Sequence, residues 1–145
     1  MIEKELKSIN PKNNIKLSTW DVPSLNDINI MIRKTANAQI KWSEIDLILR
    51  LGYVKNFAQL LNKRAKEMSI LMSDEMGKPK KQGMEEISKC VLLCEYFLEN
   101  SEKVLSDKLV KTEFHESFVT LRPIGLIFGI MPWNFPFWQV LRYAI

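Results

Sequence analysis

The chain has 145 residues, 46% hydrophobic and 26% charged, with a formal net charge of +4. That is about one domain's worth of chain with enough apolar material for a core, which sets it apart from disordered or fibrous sequences. Its basic residues are interleaved with acidic ones (Lys80–Lys81 stand near Glu85–Glu86), so no basic stripe argues for a nucleic-acid surface. The leader MIEKELKSINPKNN carries no apolar signal-peptide core, which sets the expected location as cytoplasmic.

Residues 1–22 read as a leader in which SI and IKLSTW are short-strand candidates around turn signals at Asn10–Pro11 and Asn13–Asn14. Ser24 is a good helix N-cap, with Asp27 three residues on and Ile28, Met31, Ile32, Thr35 and Ala36 at helical spacing. This predicts a helix to about Lys41 or Trp42. Ser43 with Asp46 predicts a capped start for the next one.

The second helix has the clearest pattern. Leu47, Leu51, Val54, Ala58, Leu61, Ala65, Met68 and Met72 alternate steps of four and three, giving one apolar stripe. Gly52 weakens it by about 1 kcal/mol relative to Ala. A coiled coil also fits the stripe, but no regular charge pairing flanks it, so burial against neighbouring helices is expected. Gly77, Pro79 and Gly83 mark a stop and turn. A third helix then presents Met84, Ile87, Val91, Cys94 and Leu98 on one face. Three consecutive antiparallel helices are predicted over roughly 25–100. Cys90 and Cys94, four apart, share a helix face without metal-ligand neighbours, and read as two buried reduced thiols. No metal site is expected. Asp74–Glu75 reads as a helix end rather than an acid–base pair, and His115, the only histidine, as a surface or strand-edge residue.

The period then changes. Glu116–Arg122 alternates as a strand does, and after Pro123 the run Ile124–Ile130 is nearly all apolar, typical of a strand buried on both faces. Gly125 and Gly129 favour close backbone packing there. A Pro-rich turn follows, with a helix beginning near Phe135 or Pro136. The uncharged stretch 123–141 approaches the length of a membrane span. Pro132 and Pro136 with Asn134 between them, and the two glycines, argue for a buried strand, loop and helix instead. The ends of parallel strands are where open α/β sheets bind ligands, and Pro132–Trp133–Asn134 stands at such a position.

RPIGLIFGIMPWNFPFWQVLRYAI resembles the aldehyde dehydrogenase superfamily, whose pattern there is a Pro–Leu/Ile–Gly–Val strand, then Pro–Trp–Asn–Phe–Pro and a helix. LSDEMGKPKKQGMEEISKCVLLCEYF is similar to that family's helix–turn–helix segment, with its Glu-x-Gly-Lys-Pro and a later acidic residue, and SINPKNN to its N-terminal turn. The resemblance covers nearly the whole chain in order. FWQVLRYAI is similar to the succinate-semialdehyde dehydrogenase branch.

The resemblance implies an α/β fold: an N-terminal helical segment leading into the first strands of a Rossmann-like parallel sheet, incomplete here. It divides the chain into a leader (1–22), helices (23–104), an oligomerisation-type strand region (105–122) and the start of a dinucleotide-binding sheet (123–145). It implies oxidation of an aldehyde, succinate semialdehyde in that branch, to the acid. A cysteine thiolate attacks the carbonyl, hydride leaves to NAD or NADP, and a glutamate activates the water that releases the thioester.

Asn134 matches the oxyanion donor, whose amide donates without carrying a charge; its bland alternative is a helix cap. Ile130, Met131, Pro132, Trp133 and Asn134 match the edge of the cofactor site, or else simply form core and turn. Phe135, Trp138, Gln139 and Arg142 share a helix face and match a substrate tunnel, with Arg142 holding a substrate carboxylate. A salt-bridged or solvated arginine is the alternative.

The nucleophile motif Gly-Gln-x-Cys and the Leu–Gly–Gly-flanked Glu do not occur in the chain. The expectation is therefore the N-terminal part of an enzyme, inactive alone, with unpaired sheet edges that make it poorly soluble or self-associating. The full-length form implied is a homo-oligomer that binds a small aldehyde and neither nucleic acid nor membrane. The competing reading is a non-enzymatic helical interaction module that associates with a full-length subunit.

Overall fold

The computed structural model describes residues 5–145; the first four residues of the predicted leader lie outside the described residues. The chain begins with an antiparallel hairpin, β1 (Glu5–Ile9) and β2 (Lys16–Asp21), registered Glu5 to Asp21 and Ser8 to Ser18 with a bulge between Ser8 and Ile9. The Asn-rich turn closes as its composition predicts. Asn10 N–H donates to Ile15 O at 2.9 Å, the Asn10 side chain accepts from Lys12 N–H, and Asn14 takes a φ of 59°.

Helix α1 (Leu25–Ser43) starts on a complete capping box. The Ser24 hydroxyl accepts from Asp27 N–H, and the Asp27 carboxylate accepts from Ser24 N–H. Those contacts with Ser24, the side-chain hydrogen bond first, hold the Asp27 carboxyl below its ordinary value. Ser43 does not cap the next helix: it is the last residue of α1, and its hydroxyl donates back to Ile40 O. Helix α2 (Leu47–Met76) begins after Asp46, whose side chain makes no cap.

Helices α2 and α3 (Lys80–Leu105) form an antiparallel hairpin and supply most of the core: Ala58, Leu61, Ala65 and Met72 from α2, Ile87, Cys90 and Cys94 from α3. The C-terminal part of the α2 stripe is thus buried as its spacing predicts. On α3 the buried face is rotated from the predicted one, with Met84 exposed and Val91 half-buried. Gly83 is the reason. It does not mark the turn but lies inside α3, where a Cβ would come within 3.0 Å of Ser69 Cβ. At Gly83 the missing side chain leaves room for Ser69 and Met72 of α2.

The turn itself is Gly77–Lys78–Pro79, with Gly77 in the left-handed conformation at φ 74°. Ser8 of the hairpin donates to Glu75 in the last turn of α2.

The three predicted helices form, and α1 buries none of its side chains. It meets α2 at Trp42 and Tyr53, whose ring centroids are 5.5 Å apart. Its stripe Ile28, Met31, Ile32 instead lines an open groove with Leu126, Ile127 and Phe128. Beyond α3 the strands are minimal: β3 (Lys108–Leu109) pairs antiparallel with β4 (Phe118–Val119). The strand predicted over Glu116–Arg122 is therefore two residues long. The one predicted over Ile124–Ile130 is not formed among the described residues. Ile124 and Ile130 are each 85% exposed, because a ladder needs neighbouring strands and none flanks this segment. Gly129 does serve close packing, since a Cβ there would fall 2.9 Å from the Tyr143 ring.

Helix α4 (Pro136–Ala144) packs against α3 through Leu141, with Phe137, Trp138 and Ile145 beside the core. None of the described helices is long and apolar enough to cross a membrane.

Candidate active site

Trp133 and Asn134 form the turn that leads through Phe135 into α4. Pro136 stands at the first position of that helix, where its missing N–H costs nothing. Asn134 is exposed, and it does not cap: the N-cap residue is Phe135, and no side chain at that position closes the helix start. The capping alternative weighed for Asn134 therefore fails.

The cap comes from elsewhere in the chain. Glu86, on the buried face of α3, accepts from Phe137 N–H at 2.9 Å and Trp138 N–H at 3.0 Å through one carboxylate oxygen. Its other oxygen pairs with Lys78 Nζ. Lys78 also donates to the main-chain carbonyl of Asn134 at 3.0 Å, and its ammonium lies 3.9 Å from the Phe135 ring centroid. Both side chains are buried, with 5% and 0% of their surfaces exposed for Lys78 and Glu86. Two charges are stable there because each meets the other and both carry further contacts, Glu86 to two amides and Lys78 to a carbonyl and a ring face.

This pair was not predicted from the residues. A signal existed for Glu86: it lies on α3 three residues after Gly83 and four before Cys90, a carboxylate on a buried face. Lys78 stood in the Glu-x-Gly-Lys-Pro turn, but its inward direction depends on the left-handed Gly77 before it.

Of the tunnel residues, Trp138 and Gln139 are half-buried while Phe135 and Arg142 are exposed. Trp138 is covered by Lys89, whose Nζ is 4.1 Å from the ring centroid, with the Arg142 guanidinium at 5.8 Å. Arg142 forms no ion pair among the described residues, which leaves its salt-bridge alternative unfilled. Ile130 (85% exposed) and Trp133 (74%) stand free at the end of the extended segment. Met131 is half-buried, and Pro132 is exposed.

Cys90 is a buried free thiol. Burial, then the neighbouring Glu86 charge and Cys94, push its thiol from 9.0 up to about 12. Burial raises Cys94 as well. No group of three His, Cys, Asp or Glu among the described residues is arranged to hold a metal. His115 is exposed.

A probable NADP+-dependent succinate-semialdehyde dehydrogenase of Synechocystis sp. is 32% identical over 139 residues, covering 96% of this chain and 31% of that protein. The Escherichia coli NAD(P)+ succinate semialdehyde dehydrogenase is 33% identical over 138 residues, covering 95% and 30%. The crystal structure of the Streptococcus pyogenes succinic semialdehyde dehydrogenase with NADP+ superposes with a TM-score of 0.89 at 23% identity, over 94% of this chain and 30% of that one. The chain thus spans about a third of the length of the relatives it matches. The model of the aldehyde dehydrogenase family matches residues 2–145. The chain belongs to the aldehyde dehydrogenase family.

Proposed function

We propose that these 145 residues form the part of an NAD(P)-dependent aldehyde dehydrogenase that carries its oxyanion donor, and that the aldehyde is succinate semialdehyde. The observation that carries this reading is Asn134. It is exposed in the turn after the apolar segment, caps nothing, and is anchored through its own carbonyl by Lys78. A neutral amide donor aimed at a developing oxyanion contributes roughly a hundred- to a thousandfold in rate. The relatives reported above, named for succinate semialdehyde, support the substrate.

Arg142 fits that substrate. It has no ion-pair partner among the described residues and stands on the same helix face as Phe135, about 9 Å along the axis from Pro136. A four-carbon semialdehyde with its carboxylate on Arg142 extends toward Asn134. Residues 130–134 offer a dinucleotide one apolar edge, Ile130 and Trp133. That fits a planar ring but includes no group for the phosphates. When bound, the nicotinamide accepts the substrate's hydride.

The strand region 105–122 is proposed to serve assembly of the full-length form into a homo-oligomer. The chain contains neither the nucleophile nor the base motif, and both thiols are buried. It is therefore proposed to be inactive alone, with the thiohemiacetal and thioester steps carried by residues outside this sequence. The unpaired apolar run 124–130 favours a second reading, a non-enzymatic module that associates with a full-length subunit.

The test is a chimera in which residues 1–145 replace the aligned segment of the Synechocystis relative. Retained NADPH formation from succinate semialdehyde, lost roughly a hundred- to a thousandfold on Asn134→Ala, is the expected result. An Asn134→Ala chimera with an unchanged rate would refute the oxyanion assignment. Co-purification with a full-length homologue, without dinucleotide binding by this chain, would favour the second reading.

A further inference from the structure

We propose that Lys78 and Glu86 are positioning residues: a buried polar latch through which the α2–α3 hairpin sets the main chain at Asn134. Its meaning for catalysis rests on Asn134 being the oxyanion donor; the latch itself does not.

The latch follows from what α4 lacks. The first amides of a helix have no acceptor within it, and a short polar side chain at the N-cap ordinarily supplies one. Here that position is Phe135, which has nothing to offer. Glu86 supplies the acceptor from 51 residues away in sequence, to both Phe137 and Trp138 N–H. A carboxylate at a helix N-terminus also meets the positive end of the helix dipole.

Lys78 completes the device. It joins the other Glu86 oxygen to the Asn134 carbonyl, so one ammonium ties the cap to the residue two before the helix. The direction of Asn134 is then set from both sides. Its carbonyl is held by Lys78, and the helix that follows is held by Glu86. Gly77 in the left-handed region turns Lys78 into the interior, and Pro79 is the N-cap from which α3 starts. The buried charge at this point does more than join two helices. A hydrophobic pair would pack α4 onto α3 equally well, but it would leave the Asn134 carbonyl and two helix amides without partners.

The experiment is amide exchange and carbonyl ¹³C NMR on the 145-residue protein, with the amides of Ile87 and Cys90 in α3 as the control for folding. In the unsubstituted chain the Phe137 and Trp138 amides are expected to exchange roughly ten- to a hundredfold more slowly than in an unfolded peptide. Random-coil exchange at both, with α3 protected, would overturn the latch without any substitution.

Glu86→Ala is expected to remove that protection. Lys78→Met is expected to shift the Asn134 carbonyl and broaden its side-chain amide, while Lys78→Arg, which keeps charge and reach, restores both. An Asn134 signal unmoved by Lys78→Met, with the α3 amides intact, would overturn the positioning role. A merely structural role for the pair would move the α3 amides and leave no selective change at Asn134. These readouts require no turnover, so failure of the latch and failure of the oxyanion reading are separable: the second shows only in the chimera.

Discussion

The α2–α3 hairpin and the segment from β3 to Trp133 are comparably apolar in sequence and opposite in outcome. The hairpin buries Leu61, Ile87, Cys90 and Cys94 to 1% exposure or less. In the later segment Leu109, Phe114, Ile124, Phe128 and Ile130 are all more than 70% exposed. The difference lies in where each takes its hydrogen bonds. A helix satisfies its backbone within its own turn, so two helices joined by three residues need only each other to close a core. A strand satisfies its backbone on neighbours, and its apolar faces wait for the layers that cover them. The chain spans about a third of its relatives' length, and in that third the self-sufficient element is complete while the dependent one is not.

The largest expected contrast is chemical. With its thiol pushed up to about 12 by burial, Cys90 should be alkylated at neutral pH about a thousandfold more slowly in the native chain than in urea, from the thiolate fraction alone. Equal rates would show that the hairpin core is open. The same shift has a signed consequence for stability. The folded value lies above the ordinary 9.0, so this contribution is fully present below pH 9.0 and is lost as pH rises toward about 12. A urea midpoint that rises across that window would contradict it.

Next comes Leu61→Ala, which should cost about 2–5 kcal/mol because Leu61 is 1% exposed in the hairpin core. Denaturant unfolding followed by circular dichroism measures it, and a loss below about 1 kcal/mol would mean that the core is loosely packed. Gly77→Ala should cost about 1–2 kcal/mol, since φ there is 74° and a Cβ disfavours that conformation. The same unfolding experiment decides it; a neutral result would show that the turn relaxes. The smallest effect is expected from Ile127→Ala in the open segment. Ile127 is 53% exposed, so the change should stay within about 0.5 kcal/mol. A cost equal to that of Leu61→Ala would erase the contrast between the two regions.

Much of this fold was legible. The Ser24 cap, the α2 stripe, the Gly77 stop and Pro136 at the start of α4 all rest on local rules, and each appears where the residues predict it. The missed elements depended on partners. Ser43 has a cap's chemistry but ends α1. Gly83 looks like a turn residue but permits a close helix contact. Ile124–Ile130 has a buried strand's composition without a neighbouring strand to pair with. At the site, Asn134 stood out as an amide between two prolines, whereas Glu86 passed as one of the interleaved surface charges and Lys78 as part of the Glu-x-Gly-Lys-Pro turn.

The sequence alone determined what is periodic or covalently local: the helices, the Ser24 cap, the left-handed glycine and the Pro–Trp–Asn–Phe–Pro turn that marks the family. Only tertiary structure decided which face of α3 is buried, that α1 stands apart, and that a lysine and a glutamate from the hairpin hold the turn at Asn134. The physical reason is range. Backbone preferences act over a few residues, whereas burial of a charge is decided by what meets it. For Glu86 that is two amides more than fifty residues away.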